Sequence, residues 1–176
     1  MAFQSSRLLL DKGIVRRLYE AQVRRSHRIP PTPLQRESLT VFIRLRLLSA
    51  RLYIAQESAN LLSLRPQRYT MPITRRTDVL QKGRYFSRWA RRLRSFMFSP
   101  EDARMIAYAS FGVDSNFQLA EIEMFVTNDN KLATNFRVEH TKIEARFDQM
   151  VSNLQEPYSR LQLPAVKTTA EVLAAT

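Results

Sequence analysis

The sequence contains no cysteine, two histidines and three glycines. Without cysteine, disulfide bonds, thiolate zinc sites, iron–sulfur clusters and a cysteine nucleophile are all excluded. A site built from several histidines is excluded too, and both His27 and His140 lie in polar stretches typical of solvent-exposed residues. Three glycines also provide no glycine-rich loop that could cradle a nucleotide phosphate. Composition therefore removes several common enzyme classes.

Long hydrophobic runs are missing as well. No stretch approaches the roughly 18 apolar residues that a membrane-spanning helix requires. The first ten residues hold only a short apolar patch before Asp11, unlike a secretory signal. We therefore expect a cytoplasmic protein with no membrane partner. With 176 residues, of which 44% are hydrophobic, the chain suits one globular domain spanning residues 1–176.

Negative charge is scarce in the first 100 residues. They contain 21 lysines and arginines against five acids, whereas the remaining residues contain seven against 11, and the whole chain has a net charge of +12. Nearly all of the excess is arginine, whose planar fork of donors matches phosphate and stacks on bases. This distribution favours a nucleic-acid partner, although solvated arginines on helix surfaces would give the same composition.

Apolar periodicity predicts alternating strands and helices. The predicted strands cover residues 7–11, 51–55, 122–127 and 161–167. The first predicted helix begins at Ile14. Further predicted helices cover residues 33–48, 58–64, 78–96, 100–111 and 131–154, and a short last helix follows residue 167. Residues 65–76 are expected to be a basic connection. Such alternation is typical of an α/β layer with a mostly parallel sheet.

Acidic residues lie at the junctions of these elements. They are Asp11, Glu57, Asp102 and Asp129, each beside a predicted strand or at the start of a helix. Acids at the carboxyl edge of a parallel sheet can converge, and close carboxylates repel one another unless a hard cation neutralises them. The spacing therefore indicates a Mg²⁺ or Mn²⁺ site, while helix capping would account for the same acids.

The residues around these acids resemble the motifs of PIN domain nucleases. They read Leu-Leu-Leu-Asp11, Tyr-Ile-Ala-Gln-Glu57-Ser-Ala-Asn-Leu-Leu, Pro-Glu-Asp102-Ala-Arg-Met-Ile-Ala and Phe-Val-Thr127-Asn-Asp129 in chain order. The resemblance covers about residues 7–173. It leaves an extra helix, at about 133–157, inserted before the last strand.

This resemblance implies a Rossmann-like three-layer α/β/α sandwich with a short, mostly parallel sheet. It also implies a divalent-metal-dependent endoribonuclease. Asp11, Glu57, Asp102 and Asp129 would then be the metal-binding and catalytic acids, and Thr127 would hydrogen-bond within the site. Hydrolysis by metal-activated water needs no side-chain nucleophile, in agreement with the composition.

One departure from the family pattern follows the first acid. PIN domains usually continue with Thr or Ser and then a polar residue, whereas Lys12 and Gly13 stand here. Lys12 is expected either to compete with a metal or to contact the phosphate. The departure leaves open the alternative of a non-catalytic nucleic-acid-binding protein on the same fold.

The sequence and the resemblance also suggest contacts with nucleic acid, with an antitoxin and with a second copy of the chain. The predicted helix 78–96 carries an aromatic stripe and, on its other side, a nucleic-acid-binding face formed by Arg84, Arg88, Arg91 and Arg92. Many small PIN proteins are toxins, so an antitoxin partner is one alternative. The apolar helix 39–48 is a candidate homodimer surface, but burial in the core would explain its composition equally well.

Overall fold

The computed structural model describes residues 6–176, in which strands and helices alternate. The strands are Arg7–Leu10 (β1), Arg51–Ala55 (β2), Asp78–Lys82 (β3), Gly112–Val113 (β4), Met124–Thr127 (β5) and Ala165–Thr168 (β6). The helices are Lys12–Ser26 (α1), Pro33–Leu47 (α2), Gln56–Ser63 (α3), Gln67–Thr74 (α4), Phe86–Leu93 (α5), Pro100–Phe111 (α6), Asn130–Val138 (α7), His140–Val151 (α8) and Thr169–Ala175 (α9). Among these residues no helix combines the length and apolar character needed to cross a membrane.

The strands form one sheet in the order β4-β3-β2-β1-β5-β6. All neighbours pair in parallel except β3 and β4, which are antiparallel. The chain moves from β1 outward to β2 and β3, and later returns to place β5 and β6 on the other side of β1. The strand order therefore reverses between β1 and β5, which is where ligands bind in open α/β sheets.

Two hydrophobic cores lie on opposite faces of this sheet. Leu8 and Leu10 of β1 belong to the core formed with α1, α2, α3, α4 and α9. Leu9, between them, belongs to the core formed with α5, α6, α7 and α8. Because side chains alternate along a strand, this division places helices on both faces. The α/β class and the mostly parallel sheet expected from the sequence are confirmed, and the layers are compatible with a three-layer sandwich.

The sequence prediction of one helix over residues 78–96 is wrong. Residues Asp78–Lys82 form β3, which pairs in parallel with β2, and only Phe86–Leu93 is α-helical. The aromatic and arginine residues that suggested a long helix lie after the turn. Gly83 marks that turn, because a Cβ there would lie 2.1 Å from the carbonyl oxygen of Phe111. Pairing with β2 outweighs the local helical pattern.

Two other predictions need correction. The expected connection at 65–76 contains α4, which includes Pro72 and buries Tyr69 and Ile73. The region 131–154, expected to be mainly one helix, contains α7 and α8, which meet at Glu139. The insertion before the last strand therefore consists of more than one helix. Burial of apolar side chains compensates for the weak helical propensity of a proline-containing segment.

The last two predicted strands are shorter than expected. β5 begins two residues after the predicted start at 122, and β6 begins only at Ala165. Pro164 immediately precedes β6 and has no N–H to donate to a neighbouring strand. Ala165 donates its N–H to the carbonyl oxygen of Glu123 at 2.9 Å, where the pairing starts.

The apolar residues of helix 39–48 are divided between the core and the surface. Leu39, Phe42 and Leu45 on α2 are buried in the core that α2 shares with β1 and β2. Ile43, Leu47 and Leu48 are exposed, so packing against the sheet explains only part of the apolar pattern, and the homodimer surface stays a prediction.

Candidate active site

The carboxyl ends of β1 and β5 place two of the predicted acids side by side. Leu10 at the end of β1 is paired with Val126 of β5. Asp11 follows β1 directly and donates its N–H to the carbonyl oxygen of Val126 at 2.9 Å. Asp129 is separated from the end of β5 by one residue and is the N-cap of α7. The reversal in strand order thus brings Asp11 and Asp129 to one edge of the sheet.

Thr127 connects these two acids. Its buried hydroxyl donates to Asp11 Oδ2 at 2.7 Å and accepts the backbone N–H of Asp129 at 3.0 Å. Asp129 Oδ1 in turn accepts the N–H of Leu132 at 3.0 Å, which caps α7. Asp11 occupies the N-cap position of α1 without making a side-chain cap bond. The hydrogen bond from Thr127 therefore helps to orient its carboxylate.

The start of α6 brings Asp102 to the same place. Ser99 caps this helix by accepting the N–H of Asp102 at 3.1 Å, and Pro100 occupies the first turn. Asp11, Asp102 and Asp129 all line a cleft of about 680 Å³. Its remaining walls come from α1, from α3 and the residues after it, from the start of α6 and from the residues around the start of α7. These residues are Lys12, Gly13, Val15, Arg16, Arg17, Tyr19, Ser58, Leu61, Leu62, Arg65, Glu101, Asn128, Asn130 and Lys131.

The three carboxylates influence one another electrostatically. Burial raises the pKa of Asp11 above its usual value, and the charges of Asp102 and Asp129 raise it further. The Thr127 hydrogen bond and the backbone N–H of Lys12 oppose this pKa shift. The ionised form of Asp11 is thus disfavoured by desolvation and repulsion, both of which a bound cation would relieve.

Lys12 lies at the edge of this cleft and is paired with an acid. Its Nζ donates to Glu101 Oε1 at 2.8 Å, in an ion pair whose two side chains are about half exposed. This hydrogen bond is the main cause of the lowered pKa of Glu101. The lysine therefore links α1 to α6 across the cleft, and it neutralises Glu101 next to Asp102.

Glu57, the remaining predicted metal ligand, is not brought into the cleft. Its Oε1 lies 3.8 Å from Lys82 Nζ and 3.9 Å from Arg104 Nη1. The cleft is lined instead by Ser58 from the same helix, together with Leu61 and Leu62. A sequence pattern places an acid in the first turn of a helix, but the orientation of that turn on the sheet decides which residue faces the site.

The predicted arginine face also lies outside the cleft. Arg88 and Arg92 of α5 line a separate cavity of about 230 Å³, which they share with Arg146 of α8. Burial lowers the pKa of Arg92, and Arg88 and Arg146 lower it further. Arg84 lies over the ring of Tyr85, with its Cζ 5.4 Å from the ring centroid. Arg91 is exposed. Of the five predicted nucleic-acid-binding residues, only Lys12 lines the cleft.

Sequence reasoning missed several cleft residues on α1 and α3. Arg17 and Ser58 are the most informative, because Arg17 Nη1 and Ser58 Oγ are buried without a hydrogen-bond partner. Arg65 lies over the ring of Tyr19, with its Cζ 5.6 Å from the ring centroid. The sequence predicts the helix that carries Arg17 but not the face that this helix turns toward Asp11. Nor does it predict the packing of α3 against α1.

The oxygen donors of the cleft match the chemistry of a hard cation. Carboxylate and amide oxygens are the ligands that Mg²⁺ and Mn²⁺ prefer. Besides the three aspartates, the cleft is lined by Asn128, whose buried Oδ1 has no hydrogen-bond partner. Within residues 6–176, however, no group of three or more acidic or histidine side chains is gathered closely enough to hold a metal ion. The donors fit a divalent cation, and they would have to close around it.

Comparison with known proteins gives no further identification. No protein-family model, no curated protein and no solved structure matches this chain. A proposal for the function must therefore rest on the fold and on the residues of the cleft.

Proposed function

We propose that this protein is a divalent-metal-dependent endoribonuclease that hydrolyses phosphodiester bonds in its cleft. One observation carries the proposal: Asp11, Asp102 and Asp129 line a single cleft where the strand order of a parallel sheet reverses. Basic side chains line the same cleft, including Arg16, Arg17 and Lys131. Acids that suit a cation and arginines that suit phosphate are thus combined in one place.

The three aspartates would hold the Mg²⁺ or Mn²⁺ ion. When bound, such an ion polarises a phosphoryl oxygen and lowers the pKa of a water molecule. Thr127 keeps Asp11 Oδ2 oriented through its 2.7 Å hydrogen bond and also holds the backbone of Asp129. The arginines bind the anionic strand and reduce its repulsion from the aspartates. Glu57 has no role in this arrangement, in contrast to the role that the resemblance implied.

The first experiment compares the wild type with Asp11→Asn on a mixed panel of RNAs. Cleavage is measured with Mn²⁺, with Mg²⁺ and with EDTA. We expect metal-dependent cleavage in the wild type and none in the variant. Asp148→Asn, the same substitution at an exposed residue of α8, is the matched control and is expected to cleave normally. Retained cleavage in Asp11→Asn, or cleavage in EDTA, would contradict the proposal.

Thermal unfolding of the same proteins gives a readout that does not depend on cleavage. Because burial and neighbouring charges disfavour ionised Asp11, Asp11→Asn in EDTA is expected to unfold at a higher temperature than the wild type. Added Mn²⁺ should raise the midpoint of the wild type, since a ligand that binds the native state stabilises it. The variant should respond much less. An equal response in both would place the cation elsewhere.

The α5–α8 cavity favours a second candidate function, which is nucleic-acid binding without catalysis. Arg88, Arg92 and Arg146 line this cavity, and no acid is among its lining residues. In this case RNA binding would be unaffected by EDTA and by Asp11→Asn. It would be weakened by Arg88→Glu, whereas Arg28→Glu, at an exposed residue outside both cavities, serves as the control.

The toxin alternative concerns the biological role of the same activity. It predicts that a small neighbouring gene encodes an antitoxin that binds this chain and inhibits cleavage. Co-expression of the neighbouring gene followed by copurification and a cleavage assay tests this prediction. Absence of a binding protein among the neighbouring gene products would contradict it.

A further inference from the structure

Buried polar atoms without a hydrogen-bond partner are concentrated in one place. Within residues 6–176 there are three such side-chain atoms: Arg17 Nη1, Ser58 Oγ and Asn128 Oδ1. All three belong to residues that line the cleft containing Asp11. Buried donors and acceptors are normally satisfied, since leaving one unpaired costs free energy. Their concentration in a single cleft indicates that a ligand supplies the missing partners.

Arg17 is separated from the carboxylates along α1. Arg17 follows Asp11 by six positions, so the two are roughly 9 Å apart along the helix axis. Asp11, at the start of α1, lies in the cleft with Asp102 and Asp129. Further along α1 the cleft residues are Arg16, Arg17 and Tyr19. The two arginines therefore lie more than one helical turn beyond Asp11.

Ser58 adds a second donor from the facing helix. It is 2% exposed, on α3, and its hydroxyl has no partner. Arg65, just beyond α3, also lines the cleft and places its guanidinium over Tyr19. This part of the cleft thus offers guanidinium and hydroxyl donors from two helices. Phosphate oxygens accept hydrogen bonds from both kinds of donor.

We infer that Arg17 and Ser58 form a subsite for a nucleic-acid phosphate other than the one that is cleaved. The inference rests on the proposed function and adds the path of the strand, which would run along α1 from the aspartates to Arg17. A phosphodiester strand suits this cleft because one phosphate would lie beside the aspartates and a neighbouring phosphate beside Arg17 and Ser58. Leu61 and Tyr19 then provide apolar surface beside the strand.

The test measures binding of a fluorescein-labelled 12-nucleotide single-stranded RNA in EDTA, where cleavage does not occur. Arg17→Gln is expected to weaken binding about tenfold or more, and Ser58→Ala about threefold, because each loses a contact in a desolvated site. Arg17→Gln should also lower the slope of log affinity against log salt by about 0.7, which corresponds to one phosphate contact on a single strand. Arg17→Lys should restore the slope and only part of the affinity.

Two control variants match these changes. Arg25→Gln removes the same charge from an exposed residue of α1, outside the cleft, and is expected to change binding less than twofold. Ser38→Ala removes a buried hydroxyl that donates to the carbonyl oxygen of Leu34 at 3.0 Å, on α2. Equal binding losses for Arg17→Gln and Arg25→Gln would show that only net charge matters and would overturn the inference.

Unfolding temperature separates ligand binding from a structural role. Because Arg17 Nη1 and Ser58 Oγ have no partner in the fold, Arg17→Gln and Ser58→Ala should leave the midpoint unchanged or raise it. Lower midpoints for both variants would assign these residues to the fold and overturn the inference.

Binding of inorganic phosphate distinguishes failure of this inference from failure of the proposed function. Arg17-dependent phosphate binding by a protein that never cuts RNA would support the subsite and contradict the nuclease. Metal-dependent cleavage with unchanged RNA binding in Arg17→Gln would support the nuclease and overturn the subsite.

Discussion

Two polar regions of this molecule differ in how completely their groups are hydrogen-bonded. At the corner formed by α2 and α9, capping boxes satisfy both helix starts, one between Thr32 and Gln35 and the other between Thr168 and Glu171. Arg137 adds an ion pair to Glu171 at 2.7 Å. In the cleft, by contrast, buried atoms of Arg17 and Ser58 are unpaired and Asp11 has a raised pKa.

This difference distinguishes polar groups that stabilise the fold from polar groups that are available to a ligand. Polar groups at the corner stabilise the fold because each has a partner within the chain. In the cleft, Arg17 Nη1 and Ser58 Oγ lack such partners, and burying them unpaired destabilises the ligand-free fold. Substitutions in the cleft should therefore remove activity and preserve stability, whereas substitutions at the corner should do the opposite.

The largest effect is expected for Asp102→Asn. It should reduce metal-dependent RNA cleavage at least about 100-fold, because metal assistance contributes several kcal/mol to such reactions. Its unfolding temperature should stay close to that of the wild type, since a weaker interaction with the start of α6 is offset by weaker repulsion of Asp11. Cleavage rates and unfolding midpoints measured on the same preparation check both expectations.

The neighbouring acid provides the control for Asp102→Asn. Glu101→Gln alters the same helical turn and weakens the hydrogen bond from Lys12. Cleavage should remain within about threefold of the wild type, since a partly exposed ion pair contributes little. If Glu101→Gln abolished cleavage and Asp102→Asn did not, the metal would have been assigned to the wrong acid of this turn.

An intermediate effect, on stability alone, is expected for Glu171→Ala. Losing this capping contact should lower the free energy of unfolding by about 1 kcal/mol, or by about 2–4 °C in a domain of this size. The backbone N–H of Thr168 lowers the pKa of Glu171 below its usual value of 4.5. The stabilisation is therefore complete above pH 4.5 and is lost as the pH falls through the lower pKa of the folded state.

Denaturant unfolding at pH 7 and at acidic pH measures this dependence. The difference between the wild type and Glu171→Ala should shrink at acidic pH, whereas RNA cleavage at pH 7 should be the same for both. Glu144→Ala, at an exposed residue of α8, is the control. A loss of cleavage in Glu171→Ala would remove the distinction between the corner and the cleft.

Much of the fold and part of the candidate site are predictable from the sequence, because they depend on local patterns of apolar and acidic residues. Short apolar runs indicate β1 and β2, the alternation of strands with helices indicates the α/β class, and the acids that follow β1 and β5 are expected at one edge of the sheet. Tertiary pairing was not predictable in the same way. β3 was predicted as part of a helix, since its pairing partner lies in the distant β2. The partners of Glu57 likewise come from β3 and α6, which local spacing does not reveal.

The smallest effect is expected for Glu57→Gln, which marks the boundary of the cleft. The charged partners of Glu57, Lys82 and Arg104, are 3.8 and 3.9 Å away and about half exposed. Such pairs contribute about 1 kcal/mol or less to stability. Cleavage by Glu57→Gln should therefore stay within about twofold of the wild type at every Mn²⁺ concentration, and its unfolding temperature should change little. A higher Mn²⁺ requirement in this variant would mean that Glu57 reaches the cation after all, and the acidic site would then extend beyond the cleft to the first turn of α3.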